Sequence, residues 1–125
     1  MQAARSRRVH GASLSMVSTW TLRTGDASIS AVACCHPAFF GKEAEYSEAA
    51  QVPVCMLPAE GDVVDDAKAV LDAKPFADKC VLQRFDDQVH GFLAARGDYS
   101  KPEVAAAAGK GIQILCSFFT SCMVA

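Results

Sequence analysis

A chain of 125 residues, 51% hydrophobic and 21% charged, is long enough to bury one hydrophobic core and too short for several linked domains. This composition excludes intrinsic disorder, and 12 basic against 14 acidic residues, a formal charge of -2, lacks the basic excess of an electrostatic nucleic-acid binder. No apolar stretch approaches the roughly 20 residues of a membrane helix, since the longest, from Ile112 to Val124, is broken by Gln113, Ser117, Thr120 and Ser121.

Charge is unevenly spread. Residues 1–25 contain Arg5, Arg7, Arg8 and Arg23 and no acid, so the rest of the chain carries -6. An Arg- and Ser-rich, acid-free start is the composition of a mitochondrial or plastid transit peptide; ordinary surface charge is the alternative. Val9 to Met16 contains His10, Gly11 and polar or small residues, which is not the continuous apolar core of a secretory signal. The six cysteines lie mostly within apolar runs, with no C-x-x-C pair, and His10, His36 and His90 lack zinc-finger spacing. They read as buried thiols in a reducing compartment, hence a cytoplasmic protein, with no metal and no cofactor expected.

Within residues 1–25, Arg8-Val9-His10 reads as a short basic strand. Ile29 to Cys35 (ISAVACC) is an almost continuous apolar run, the pattern of a strand covered on both faces, and it stops at His36-Pro37. Lys42 to Gln51 predicts a helix halted by Pro53, and Val52 to Ala59 a second buried strand with Pro53 at its start, where a missing donor is tolerated. Ala67, Val70 and Leu71 place a helix over Asp65 to Ala73, closed by Pro75. Lys79 to Phe85 is the third clear strand. After a loop with Gly91 and Gly97, Ser100-Lys101-Pro102-Glu103 predicts a capping box and a helix start. Its inward stripe would be Val104, Ala108, Ile112, Leu115 and Phe119, weakened by Gly109 and Gly111 at about 1 kcal/mol each.

Alternating strands and helices imply an α/β protein with a parallel sheet and right-handed crossovers. With three strands evident, one flank of the sheet is uncovered. In such sheets, reacting groups gather at the carboxyl ends of the strands. After the second strand comes Glu60-Gly61-Asp62, and after the third the loop Asp86-Asp87-Gln88-Val89-His90-Gly91-Phe92. An acid and then a histidine, each beyond a neighbouring strand, is the Asp-then-His order of an α/β-hydrolase triad. Asp65 and Asp66 compete with Asp62 for the acid's role.

Three segments in order, AVACCHPAFF, PVCMLPAEGD and VHGFLAARGDYSKPEV, resemble the dienelactone hydrolases, especially the eukaryotic carboxymethylenebutenolidase-like members, over about Ile29 to Phe119. The resemblance implies a partial α/β-hydrolase fold, three-layered around a mostly parallel sheet, and covers the second half of that domain (residues 26–125). It also implies hydrolysis of small esters or lactones by a nucleophile-His-Asp triad without a metal. His90 then matches the general base and Asp62 the acid that orients it: an imidazole changes charge near neutral pH, and a carboxylate on its far nitrogen fixes the tautomer.

The family's Gly-x-Cys-x-Gly elbow is absent. Its nearest equivalent is Gly11-Ala12-Ser13-Leu14-Ser15, which makes Ser13 the candidate nucleophile, 49 residues before Asp62. Cys34 and Cys35 lack an elbow glycine and read as buried thiols. Arg96 resembles the family's arginine for a substrate carboxylate, a task that suits a planar fork of donors; a surface arginine is the equal alternative. His36 ends a strand beside the site, either lining the pocket or serving the fold. The expected partner is a small ester or lactone, without nucleic acid or membrane. A non-catalytic chain that self-associates through an exposed sheet edge is the alternative.

Overall fold

The computed structural model describes residues 8–12 and 29–123. Four parallel strands form one sheet whose spatial order follows the chain: β1 (Arg8–Ala12), β2 (Ile29–Cys35), β3 (Val54–Leu57) and β4 (Val81–Leu82). The fold is therefore α/β with a parallel sheet, one strand larger than the three most legible in the sequence. The short basic run before Ser13 supplies the extra strand, with Gly11 and Ala12 paired to Ala33 and Cys34.

The two apolar runs are buried on both faces, as their lack of alternation implies. Val32, Cys34, Val54 and Met56 face one layer, where α1 (Glu43–Glu48) and α2 (Asp65–Asp72) pack on each other and add Ala67 and Leu71. Ala31, Ala33, Cys55 and Leu57 face the other, filled by Phe85, Phe92 and by Phe118 and Cys122 of α3 (Pro102–Met123). Phe92 and Phe118 are fully buried, each a burial of roughly 2–3 kcal/mol.

Several boundaries differ from the expectations, each for a local reason. Helix α1 stops at Glu48, three residues early, because the Ala49 and Ala50 N–H groups turn back to Glu45 and Ser47 and carry Ala50 into the core. Strand β4 is shorter than Lys79 to Phe85: Ala77–Lys79 is a 3-10 turn, and only Phe85 rejoins the ladder, as a bridge to Ala59. Pro53 precedes its strand, and its carbonyl accepts from Val32 N–H at 3.0 Å. Before α3, the Ser100 hydroxyl and N–H both bind Asp98 Oδ1, at 2.6 and 3.2 Å, so an Asx-type turn replaces the capping box, with Pro102 in the first helical turn.

The buried stripe of α3 is also rotated. Ala108, Gly111, Phe118 and Cys122 face the sheet, while Ile112 is 55% exposed. Gly111 explains the rotation, because a Cβ there would lie 3.2 Å from both Leu93 methyls, so the helix axis approaches closely at that point. By length and composition α3 matches a membrane-crossing helix, a helix begun ten residues before the apolar run at Ile112; here this stripe seats it on the sheet.

Candidate active site

The carboxyl ends of the strands share one edge: Ala12 lies level with Cys34, Cys34 with Met56, and Met56 with Leu82. Every candidate residue inside the described segments leaves the sheet there. Beyond β3 the chain makes a tight turn, Ala59 to Asp62. It is closed by Asp62 N–H donating to Ala59 O at 3.1 Å and allowed by Gly61 at φ 77°, a left-handed value that suits glycine. The Asp62 side chain, 8% exposed, folds back so that Oδ2 accepts the Ala59 N–H at 2.8 Å.

The other carboxylate oxygen is aimed outward. Oδ1 of Asp62 lies 2.7 Å from Nδ1 of His90, across 28 residues of chain. A carboxylate only accepts, so Nδ1 carries the proton of this hydrogen bond and donates it, which leaves Nε2 as the ring nitrogen facing away from Asp62. His90 is half-exposed, and among the described residues Nε2 has no hydrogen-bond partner. The loop that delivers His90 is tied to the acid's turn by main-chain bonds, Phe85 N–H to Pro58 O at 2.8 Å and Glu60 N–H to Gln88 O at 2.9 Å. Asp65 and Asp66, the competing acids, are exposed in the first turn of α2, and the hydrogen bond and ion pair of His90 go to Asp62.

His36 packs against this pair. Its ring lies 5.0 Å from that of His90, at 68°, and 6.3 Å from that of Phe92. The residue is 6% exposed, and its Nε2 is buried without a partner. Burial, and then the neighbouring His90, push its imidazole below the ordinary value of 6.5, so it is a neutral ring. Its backbone sits at φ 39°, an uncommon conformation for a side-chain-bearing residue, and is pinned by its N–H to Leu57 O at 2.8 Å.

Arg96 is exposed, with its aliphatic stem lying against Gly91, the residue after His90. It therefore borders the pair, and its guanidinium makes no ion pair among the described residues. Ser13 lies outside the described residues, one position beyond the end of β1. Cys34 is buried, and burial raises the thiol of half-buried Cys35, the opposite of what an activated nucleophile needs. Deeper in the sheet, Cys55 is pushed up to about 12 by burial and then by surrounding thiols. No disulfide joins cysteines among the described residues, and no group of three metal-ligating side chains occurs there.

One residue of the site is invisible to sequence reasoning. Arg84 reaches from just beyond β4 to the acid's turn, donating to Asp62 O from Nη1 and Nη2, each at 3.2 Å, and to Ala59 O at 3.4 Å. In the sequence it is one of many basic residues, and only its Arg-x-Asp spacing to Asp86 hints at a braced side chain.

A curated relative in Schizosaccharomyces pombe, an uncharacterized AIM2 family protein, is 32% identical over 97 residues, covering 74% of this chain and 37% of that protein. The chain thus spans little more than a third of the length of that relative. No family model matches the chain, and no solved structure matches it.

Proposed function

We propose that the chain is a hydrolase of small esters or lactones of the dienelactone hydrolase kind, with a partial α/β-hydrolase fold, working through Ser13, His90 and Asp62. The observation that carries this reading is the 2.7 Å contact between Asp62 and His90 at the carboxyl edge of a parallel sheet. Two further features support it. The unengaged Nε2 of His90 is the atom that a base must offer. The strand before Ser13 also ends at that same edge.

In the reaction, His90 Nε2 takes the proton of the Ser13 hydroxyl as the oxygen attacks the substrate carbonyl. The imidazolium so formed is stabilised by Asp62 through Nδ1–H, and returns its proton to the leaving alkoxide. Water then attacks the acyl-enzyme with His90 again as base. Arg96 offers two parallel donors to a substrate carboxylate, and His36 lines the floor of the site. This sequence uses no metal or cofactor, and the buried thiols Cys34, Cys55 and Cys122 suit a reducing compartment such as the cytoplasm.

Purified protein offered a chromogenic short-chain ester tests the reading. His90→Ala and Ser13→Ala should abolish turnover, and Asp62→Asn, which forces the wrong tautomer, should reduce it on the order of 10,000-fold. Turnover that survives His90→Ala would refute it. A second reading, self-association, is favoured by the outer edge of β1, which has no partner strand among the described residues. An inert chain that forms concentration-dependent oligomers supports that reading instead.

A further inference from the structure

We propose that Arg84 is a positioning residue that fixes the acid of the site by gripping the main chain of the turn carrying Asp62. The inference rests on the reading that Asp62 orients His90, and it assigns a role to a side chain whose hydrogen bonds go to Asp86 and to main-chain carbonyls, none to the imidazole.

The guanidinium is held from both sides. On its outer side, Asp86 accepts from Nε at 2.9 and 3.2 Å and lies 2.9 Å from Nη2, which sets the plane of the fork. On the inner side, Nη1 and Nη2 converge on the Asp62 carbonyl, and Nη2 also reaches that of Ala59. These two carbonyls bracket the turn. The main-chain bonds of Phe85 and Glu60 fix the two loops to each other, but neither touches the Asp62 peptide. Without Arg84, Asp62 is held by two bonds internal to the turn, Asp62 N–H to Ala59 O and Ala59 N–H to Asp62 Oδ2, and by His90 itself.

The second of these bonds depends on the carboxylate that must also serve His90. A turn free to rock moves Oδ1 away from Nδ1, and a displacement of about 1 Å ends a 2.7 Å hydrogen bond and can cost roughly 100-fold in rate. Lysine is a poor substitute. A single ammonium lacks the planar fork that meets Asp86 on one edge and two carbonyls on the other.

The test compares wild type with Arg84→Met, which keeps the stem and removes the donors, and with Arg84→Lys. Two readouts are used: the downfield proton resonance of a histidine Nδ1–H bonded to a carboxylate, assigned by its disappearance in Asp62→Asn, and kcat and KM for the chromogenic ester. Arg84→Met should lose or strongly shift the resonance and lower kcat about 10- to 100-fold with KM little changed, and Arg84→Lys should recover only part of both. A resonance and kcat that match wild type in Arg84→Met overturn the proposal. So does a wild-type spectrum with no Asp62-dependent resonance. If wild type shows the resonance but no ester turnover, the hydrolase reading fails, and the resonance in Arg84→Met still decides the role of the clamp. Should Arg84→Met not fold, Arg84→Gln, which shortens the side chain out of reach of both carbonyls, takes its place; an unmoved resonance there overturns the proposal equally.

Discussion

Gly109 and Gly111 sit two residues apart in α3 and should respond oppositely to alanine. Each substitution gains about 1 kcal/mol of helix propensity, because alanine loses less backbone entropy than glycine. At Gly109 the added methyl meets nothing within 4 Å, so the full gain should appear as stability. At Gly111 the same methyl lies 3.2 Å from both Leu93 methyls and 3.7 Å from Leu57 Cδ1, tight enough that Leu93 must shift. Overpacking of this kind costs roughly 1–3 kcal/mol, leaving Gly111→Ala between neutral and about 2 kcal/mol destabilised. Propensity cancels in the comparison, so the gap between the two variants reads the crowding alone. Urea unfolding measures it. With slopes of about 1–3 kcal/mol per molar, Gly109→Ala should raise the midpoint by roughly 0.5 M while Gly111→Ala leaves it unchanged or lowers it. In a Leu93→Ala background the cost of Gly111→Ala should shrink, because the two side chains then no longer compete for one space. Equal stabilisation by both alanines would refute the seating of α3 on Leu57 and Leu93.

Two other measurements follow from the buried groups. His36 is held below 6.5 when folded, so above that pH neither state binds its proton; as pH falls, the unfolded chain takes up a proton that the folded chain refuses. Stability should therefore decline below about pH 6.5, by at most about 1.4 kcal/mol per pH unit for this group, and then level off below the lowered folded value. His36→Phe should flatten that decline, and an unchanged pH slope in the variant would count against a buried neutral imidazole. Under native conditions a thiol alkylating reagent should modify exposed Cys116 first and fully buried Cys55 only on unfolding, as read by peptide mass spectrometry. Labelling of both at one rate would contradict the sheet's packing.

The parts of the fold that were legible are those in which one strong local signal settles the matter. ISAVACC and VPVCML are almost continuously apolar over strand length, the pattern of a strand covered on both faces. The acid and the histidine were legible because both follow strands, and a parallel sheet brings strand ends together. What escaped was set by tertiary contact. The rotation of α3 depends on Leu93 filling the space beside Gly111, and an apolar helix with few charges has no polar face to mark its outside. The capping box failed because Asp98 lies within reach of Ser100 and competes for its hydroxyl. Arg84 was missed because its partners are main-chain carbonyls 22 and 25 residues away, which no side-chain pattern reports.

The bonds that shape the acid and the base all fall between Pro58 and His90, inside a single strand–helix–strand unit and the loop after it. The Asp62–His90 pair is thus a self-contained unit of the fold. None of these bonds involves a residue ahead of β3, so the Asp62–His90 contact draws its hydrogen bonds from one continuous stretch of the chain.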